Sequence, residues 1–157
     1  SDLLVKYDID PTRTIAVCYR GTDKKTETGL PSYDGMIDKI QQIHKQYPTH
    51  KILIQTDEIG FTEYVKTKIP DFIQFGDVIK VTTDKTATQF YVEAGHKLEH
   101  AQTFLAIMYI LSSCSNLIIN SGNVGMWLCL FRHNTNGVSQ YFKSKDSKKI
   151  DEKCWLY

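Results

Sequence analysis

Thr14-Ile-Ala-Val-Cys-Tyr-Arg-Gly-Thr-Asp-Lys24 is the stretch on which the fold turns. Its first six residues, Thr14 to Tyr19, form an apolar, partly β-branched run bounded by Pro11 and Gly21, the pattern of a strand. The five that follow put an arginine, a glycine, a threonine hydroxyl, a carboxylate and a lysine within one turn's reach. In an open α/β sheet, ligands sit in the crevice just past the carboxyl ends of the strands. A cation and backbone amides at that point suit a phosphate, which the planar arginine fork can grip bidentately. The stretch therefore reads as a first strand running into a phosphate-handling loop.

Outward from it, the chain alternates strand and helix. Gly21 to Ser32 is a long polar loop, and Met36, Ile37, Ile40 and Ile43 then recur at helical spacing. That spacing predicts a helix from about Asp34 to Gln46, stopped by Pro48. Lys51 to Thr56 reads as the second strand, with Asp57 and Glu58 where it ends. Gly60 to Lys68 reads as a helix closed by Pro70, and Phe72 to Phe75 and Val78 to Thr82 as short strands. Leu98 to Ser113 is the longest predicted helix; being apolar over much of its circumference, it is expected to be largely buried. Asn116 to Asn120 is a near-continuous apolar strand of the kind found in parallel sheets. Ser121-Gly-Asn123 turns into a helix over Val124 to Arg132, and Val138 to Phe142 reads as the last strand. Lys143 to Lys153 is a charged stretch expected at the surface, ahead of a terminal Trp155-Leu-Tyr157. Strands alternating with helices imply an α/β, Rossmann-like domain over residues 1–157, with a mostly parallel sheet and helices on both faces.

Composition narrows the function. The 157 residues are 41% apolar and 24% charged, a globular rather than a disordered balance, and long enough to bury a core. A net charge of +1 argues against a protein whose main work is coating nucleic acid. The longest apolar stretch, Ala101 to Leu111, is too short to span a bilayer. Cys18, Cys114, Cys129 and Cys154 show no C-x-x-C pairing, and the first three lie in or beside apolar segments, where free cysteine behaves as a small hydrophobe. A reducing, cytoplasmic setting is expected. The chain begins at Ser1 rather than Met and is expected to be an excised fragment, so targeting information can lie outside it.

Three loops fall at carboxyl ends of predicted strands: Arg20 to Lys24, Thr56 to Glu58, and Ser121 to Asn123. In a doubly wound sheet these ends share one edge, so the loops can line one crevice. The last of them leads into a helix whose first-turn amides and dipole favour an anion. Arg20 and the Ser121 turn together suit a diphosphate. Each loop taken singly is also ordinary turn and cap chemistry.

The order and spacing of these motifs resemble those of the α-1,6-fucosyltransferases, including the bacterial nodulation enzymes. Arg20-Gly-Thr-Asp-Lys24 resembles the family's H-x-R-R-T-D-K element. Ile54-Gln-Thr-Asp-Glu58 is similar to its second segment, a strand ending in T-D-D. Tyr109 to Val124 is similar to its third, which runs helix, L-S-x-A-D, strand, then S-S-Q-V. The resemblance covers roughly Thr12 to Arg132 in the same order.

What it implies is the donor-binding half of a GT-B glycosyltransferase. Such a domain binds a GDP-sugar, GDP-fucose in this family, without an essential metal, and transfers the sugar to a glycan acceptor. Arg20 matches the catalytic arginine that holds the donor's β-phosphate and stabilises the leaving diphosphate. Gly21, Thr22, Asp23 and Lys24 continue that element, and Asp57 and Glu58 match acidic positions around the site. Ser121, Gly122, Asn123 and Val124 match the turn that contacts the phosphate. The chain departs from the family at Cys18 and Gly21, which stand for its histidine and second arginine, and at Ile107, which aligns with the acid used to read guanine. A second Rossmann-like half, as GT-B architecture requires, has no room in this chain.

Two other readings compete. His96-Lys-Leu-Glu-His100 matches H-x-x-E-H, in which two histidines on one helix face bind zinc, but Glu152 in the charged tail is the only downstream glutamate to complete it. His96 or His100 can alternatively touch the donor or acceptor, and both can be simply solvated residues at a helix start. The remaining alternative is a nucleotide-sugar-binding module with no catalysis of its own. Phe90 and Tyr91 read as core or lid residues near the proposed site, and the basic tail as a solvated surface.

Overall fold

The structure, a computed structural model, describes residues 2–22, 30–75, 95–120, 122–142 and 151–152. Asp23, Lys24 and Ser121, the strand expected over Val78 to Thr82, the aromatic pair Phe90 and Tyr91, Cys154 and the terminal Trp155 to Tyr157 lie outside the described residues.

In chain order the elements are α1 (Asp2–Lys6), a 3-10 turn (Pro11–Arg13), β1 (Thr14–Tyr19), α2 (Tyr33–Gln46), β2 (Lys51–Thr56), α3 (Ile59–Lys68), α4 (Lys97–Ser113), β3 (Asn116–Asn120), α5 (Asn123–Arg132), β4 (Val138–Phe142) and β5 (Asp151–Glu152). The strands make one sheet in the order β2-β1-β3-β4-β5; the first four are parallel, and β5 pairs antiparallel to β4. This is the Rossmann-like α/β sheet the alternating pattern predicts.

Each face of the sheet carries its own core. Successive strand residues point to opposite faces, and β1 is buried on both. Its Ile15, Val17 and Tyr19 join Met36, Ile37, Ile40 and Ile43 of α2 and Phe61 and Val65 of α3. Its Ala16 and Cys18 face the other way, onto Ile107, Met108, Ile110 and Leu111 of α4 and Leu128 and Cys129 of α5. The order of the strands requires this split. From β1 the chain steps through α2 to β2 on one side, and from β3 through α5 to β4 on the other. Crossovers of one hand that step in opposite directions put their helices on opposite faces. The chain reverses direction between β1 and β3, so the topological switch point, where ligands bind in such sheets, lies past the ends of these two strands.

Three expectations are corrected. In place of a strand over Phe72–Phe75, Ile73 alone pairs beside Leu53, donating to the Ile52 carbonyl and accepting from the Ile54 N–H, both at 2.8 Å. α4 is apolar all round, but only one side is covered: Leu98, Leu105 and Tyr109 stay exposed, Tyr109 at 60%. Within the charged tail, Asp151 and Glu152 pair with Phe142 and Tyr141 at the edge of the sheet. Cys18, Cys114 and Cys129 are free and buried, as the apolar setting of each predicts. No helix among the described residues is long and apolar enough to cross a membrane.

Candidate functional site

β1 ends at Tyr19 and delivers Arg20 to the switch point. The ladder between β1 and β3 closes with Cys18 opposite Ile119. Beyond it, the Arg20 backbone bonds to a side chain. Asn120 Oδ1 accepts the Arg20 N–H at 2.9 Å, and Asn120 Nδ2 donates to the Arg20 carbonyl at 2.8 Å. The primary amide thus stands in for a neighbouring peptide group. Both backbone groups of Arg20 are satisfied, and the two strands can part.

From the other neighbouring strand, β2, Asp57 reaches the same loop. Its side chain is 5% exposed; Oδ1 accepts the Gly21 N–H at 2.8 Å, Oδ2 accepts the Thr22 hydroxyl at 2.9 Å, and the same Oδ2 forms an ion pair with Arg20, 2.9 Å from Nε. Arg20 keeps 21% of its side chain exposed, so the guanidinium is held and still reachable. Glu58, also buried, packs against Gly21 so closely that a Cβ there would lie 1.9 Å from Glu58 Oε2. Any side chain at this position would force Glu58 to move. Glu58 in turn engages Tyr33, whose phenol is pushed up to about 12, first by burial and then by its hydrogen bond to that carboxylate.

The third side of the crevice is the amino end of α5. Gly122, at φ 140°, precedes the helix in a backbone conformation that suits glycine, and it offers no side chain to cap the first turn. A pocket opens here, lined by Cys18, Arg20, Ile119, Asn120, Gly122, Val124 and Gly125. An arginine lining the same small pocket as the start of a helix is an arrangement that attracts an anion twice over, by charge and by the helix dipole.

Of the residues expected at the site, the structure brings Arg20, Gly21, Thr22 and Asp57 into one bonded group with Glu58 packed against Gly21; Gly122 and Val124 line the pocket with Arg20, and Asn123 opens α5. His96 is not among the residues lining the pocket. It stands 61% exposed at the start of α4 and pairs with Glu99 at 3.1 Å. One turn on, His100 is the histidine that senses Arg20, its imidazole held below the ordinary range by burial and then by that guanidinium. Cys18, at the base of the pocket, is pushed up to about 12 by burial and is a neutral thiol. Ile107 is fully buried in the core under α4. Among the described residues, no three His, Cys, Asp or Glu side chains are grouped to hold a metal ion.

Sequence reasoning missed Asn120, Tyr33 and Gly125. Asn120 carried a signal: a polar residue closing an apolar strand ahead of a turn. Tyr33 and Gly125 gave none, because their roles depend on the packing of other elements.

Comparison with solved structures finds the same fold. A crystal structure of NodZ alpha-1,6-fucosyltransferase co-crystallised with GDP superposes with a TM-score of 0.61 at 15% identity, over 99% of this chain and 46% of that one. Fucosyltransferase NodZ from Bradyrhizobium superposes with a TM-score of 0.53 at 15% identity, over 96% and 44%. The chain thus spans less than half the length of these structures. No family model and no curated protein matches the sequence.

Proposed function

We propose that this domain is the donor-binding half of a fucosyltransferase-like glycosyltransferase of GT-B architecture. It binds the diphosphate of a nucleotide-sugar, GDP-fucose in our reading, and supports metal-free transfer of the sugar to a glycan acceptor. The observation that carries the proposal is Arg20, held at its backbone by Asn120 and at its side chain by the Asp57 ion pair, lining the switch-point pocket together with the amino end of α5. The shared fold with structures that include a GDP complex supports the same reading.

In this reading Arg20 and the first-turn amides of α5 straddle the diphosphate. When the bond from the sugar to the β-phosphate oxygen breaks, negative charge gathers on the departing diphosphate. A cation already in place meets that charge without reorganising, which is how electrostatic preorganisation lowers a barrier. Arg20 is the catalytic residue on this account. Gly21 and Thr22, with Asp57 and Glu58 behind them, shape the loop; Asp23 and Lys24 extend it in sequence, and Ser121 precedes Gly122 in the turn before α5. The acceptor, and a second Rossmann-like half to hold it, are partners of this half.

The burial of Ile107 leaves the usual acid for guanine unreplaced at that position, so the base must be identified by titration. The test is calorimetry of the purified chain with GDP, GDP-fucose, UDP and zinc, repeated with Arg20→Ala. We expect GDP binding that falls by about a hundredfold in the variant, the scale of a buried charge-assisted contact. Zinc binding without nucleotide binding would replace this reading with the histidine site. Nucleotide binding without sugar transfer or slow donor hydrolysis, when the chain is paired with its acceptor half, would make the domain a binding module.

A further inference from the structure

Asp57 presents an electrostatic puzzle. A carboxylate beside an anion site repels the ligand, yet this one is buried against the one arginine of the loop. Its bonds account for the placement. The carboxylate binds the Arg20 side chain, the Gly21 backbone and the Thr22 hydroxyl together, at 2.8–2.9 Å. Its Oδ2 lies 2.9 Å from Arg20 Nε, an ion pair close to the stem that holds the guanidinium against the loop. Asn120 fixes the same residue's backbone from the opposite strand.

The geometry points to Asp57 as the positioning residue of the site: it sets the orientation of Arg20 before the ligand arrives, and affinity for the diphosphate depends on that orientation more than on the charge Asp57 subtracts. This rests on the crevice being a nucleotide-sugar site. A rigid planar fork matched to phosphate is worth more than a mobile cation only while the fork is aimed.

The sign of one substitution separates the two effects. Asp57→Asn keeps the shape and leaves Oδ1 to accept from Gly21, but removes the negative charge that pairs with Arg20. If Asp57 only subtracted charge, removing its carboxylate would tighten GDP binding. If it aims Arg20, binding weakens, by about tenfold for the loss of the ion pair that holds it. Arg20→Lys is the second variant: it retains the positive charge without the fork, and leaves Asp57 untouched. We expect it to lose GDP nearly as fully as Arg20→Ala. Asp57→Asn added to Arg20→Lys should then cost nothing more, because the planar fork that Asp57 aims is already gone.

The readout is GDP titration of all four proteins, with cooperative thermal unfolding as the check on folding. GDP bound as tightly or more tightly by Asp57→Asn than by the unaltered chain overturns the proposal, as does Arg20→Lys binding at full strength. An equal penalty for Asp57→Asn in both backgrounds also overturns it, marking a purely structural role. Absence of GDP binding by the unaltered chain overturns the underlying site reading, a result distinct from all three.

Discussion

The side-chain amide of Asn120 closes a ring with the backbone of Arg20, accepting its N–H at 2.9 Å and donating to its carbonyl at 2.8 Å. The two residues are a hundred positions apart in sequence and lie at the ends of adjacent strands. A prediction follows from the ring alone. Asn120→Ala removes both partners and leaves two backbone groups unpaired in a part-buried setting. The cost should be about 2 kcal/mol, read as a lower urea midpoint at unchanged slope. GDP affinity should fall with it, since Arg20 loses its anchor. An unchanged midpoint would mean that water replaces the amide and that the ring is incidental.

Gly21 and Glu58 make a second pair. A methyl at Gly21 would meet Glu58 Oε2 at 1.9 Å and Cδ at 2.7 Å, with the Tyr19 ring at 2.9 Å. Gly21→Ala must therefore displace a buried carboxylate, at a cost of about 1–3 kcal/mol for overpacking. Glu58→Ala should relieve most of that, so the double variant should be more stable than the sum of the single losses predicts. Simple additivity in the thermal midpoints would show that the clash is taken up elsewhere.

These two pairs also mark how far the sequence can be read. β1, β2, β3 and β4 begin and end where their largely apolar runs do, because local chemistry alone sets those limits. α1 escapes such reading: Asp2 to Lys6 is too short for a period to show, and it is held by Leu3 and Leu4 packing on the core. Ile73 was legible as extended but not as a single bridge, since pairing depends on how the chain crosses β2. At the site, Arg20, Asp57 and Gly122 stand out as strand-end residues. That Asp57 holds Arg20, or that Asn120 replaces a peptide, depends on register between strands and has no local signature. His96 and His100 share a motif and a helix, and only the packing of α4 decides which one senses Arg20.

Arg132 is a cation with a different task. At the end of α5 it donates to the carbonyls of Ser112 at 3.0 Å, Ser115 at 2.8 Å and Asn136 at 2.7 Å, and also to that of Cys114. Those oxygens include the last turn of α4, where a positive charge also suits the helix dipole. Arg132→Met should lower stability by about 2–4 kcal/mol and leave GDP affinity unchanged, because the clamp lies at the opposite end of α5 from the pocket. Loss of GDP binding at a temperature where the variant remains folded would contradict that separation.

The buried thiols and phenols predict the alkaline limit of the fold. Cys18 and Cys114 are pushed up from an ordinary value of 9.0 to about 12, in both cases by burial first. Tyr33 is raised from 10.0 to about 12, and Tyr19 is raised further, again chiefly by burial. A group whose value is higher in the folded state holds its proton there while the unfolded chain releases it. The stability it contributes is complete below the unfolded value and is lost as pH climbs toward the folded one. For this chain the loss should begin near pH 9, as the thiols of the unfolded state ionise, and continue to about pH 12, with the phenols joining above pH 10. Urea midpoints measured from pH 7 to 11 should hold steady at first and then fall. Cys114→Ala lowers the starting stability through its cavity, but it removes one titrating group, so its decline above pH 9 should be shallower than that of the unaltered chain. Parallel curves for the two proteins would show that the Cys114 thiol does not contribute to the alkaline limit.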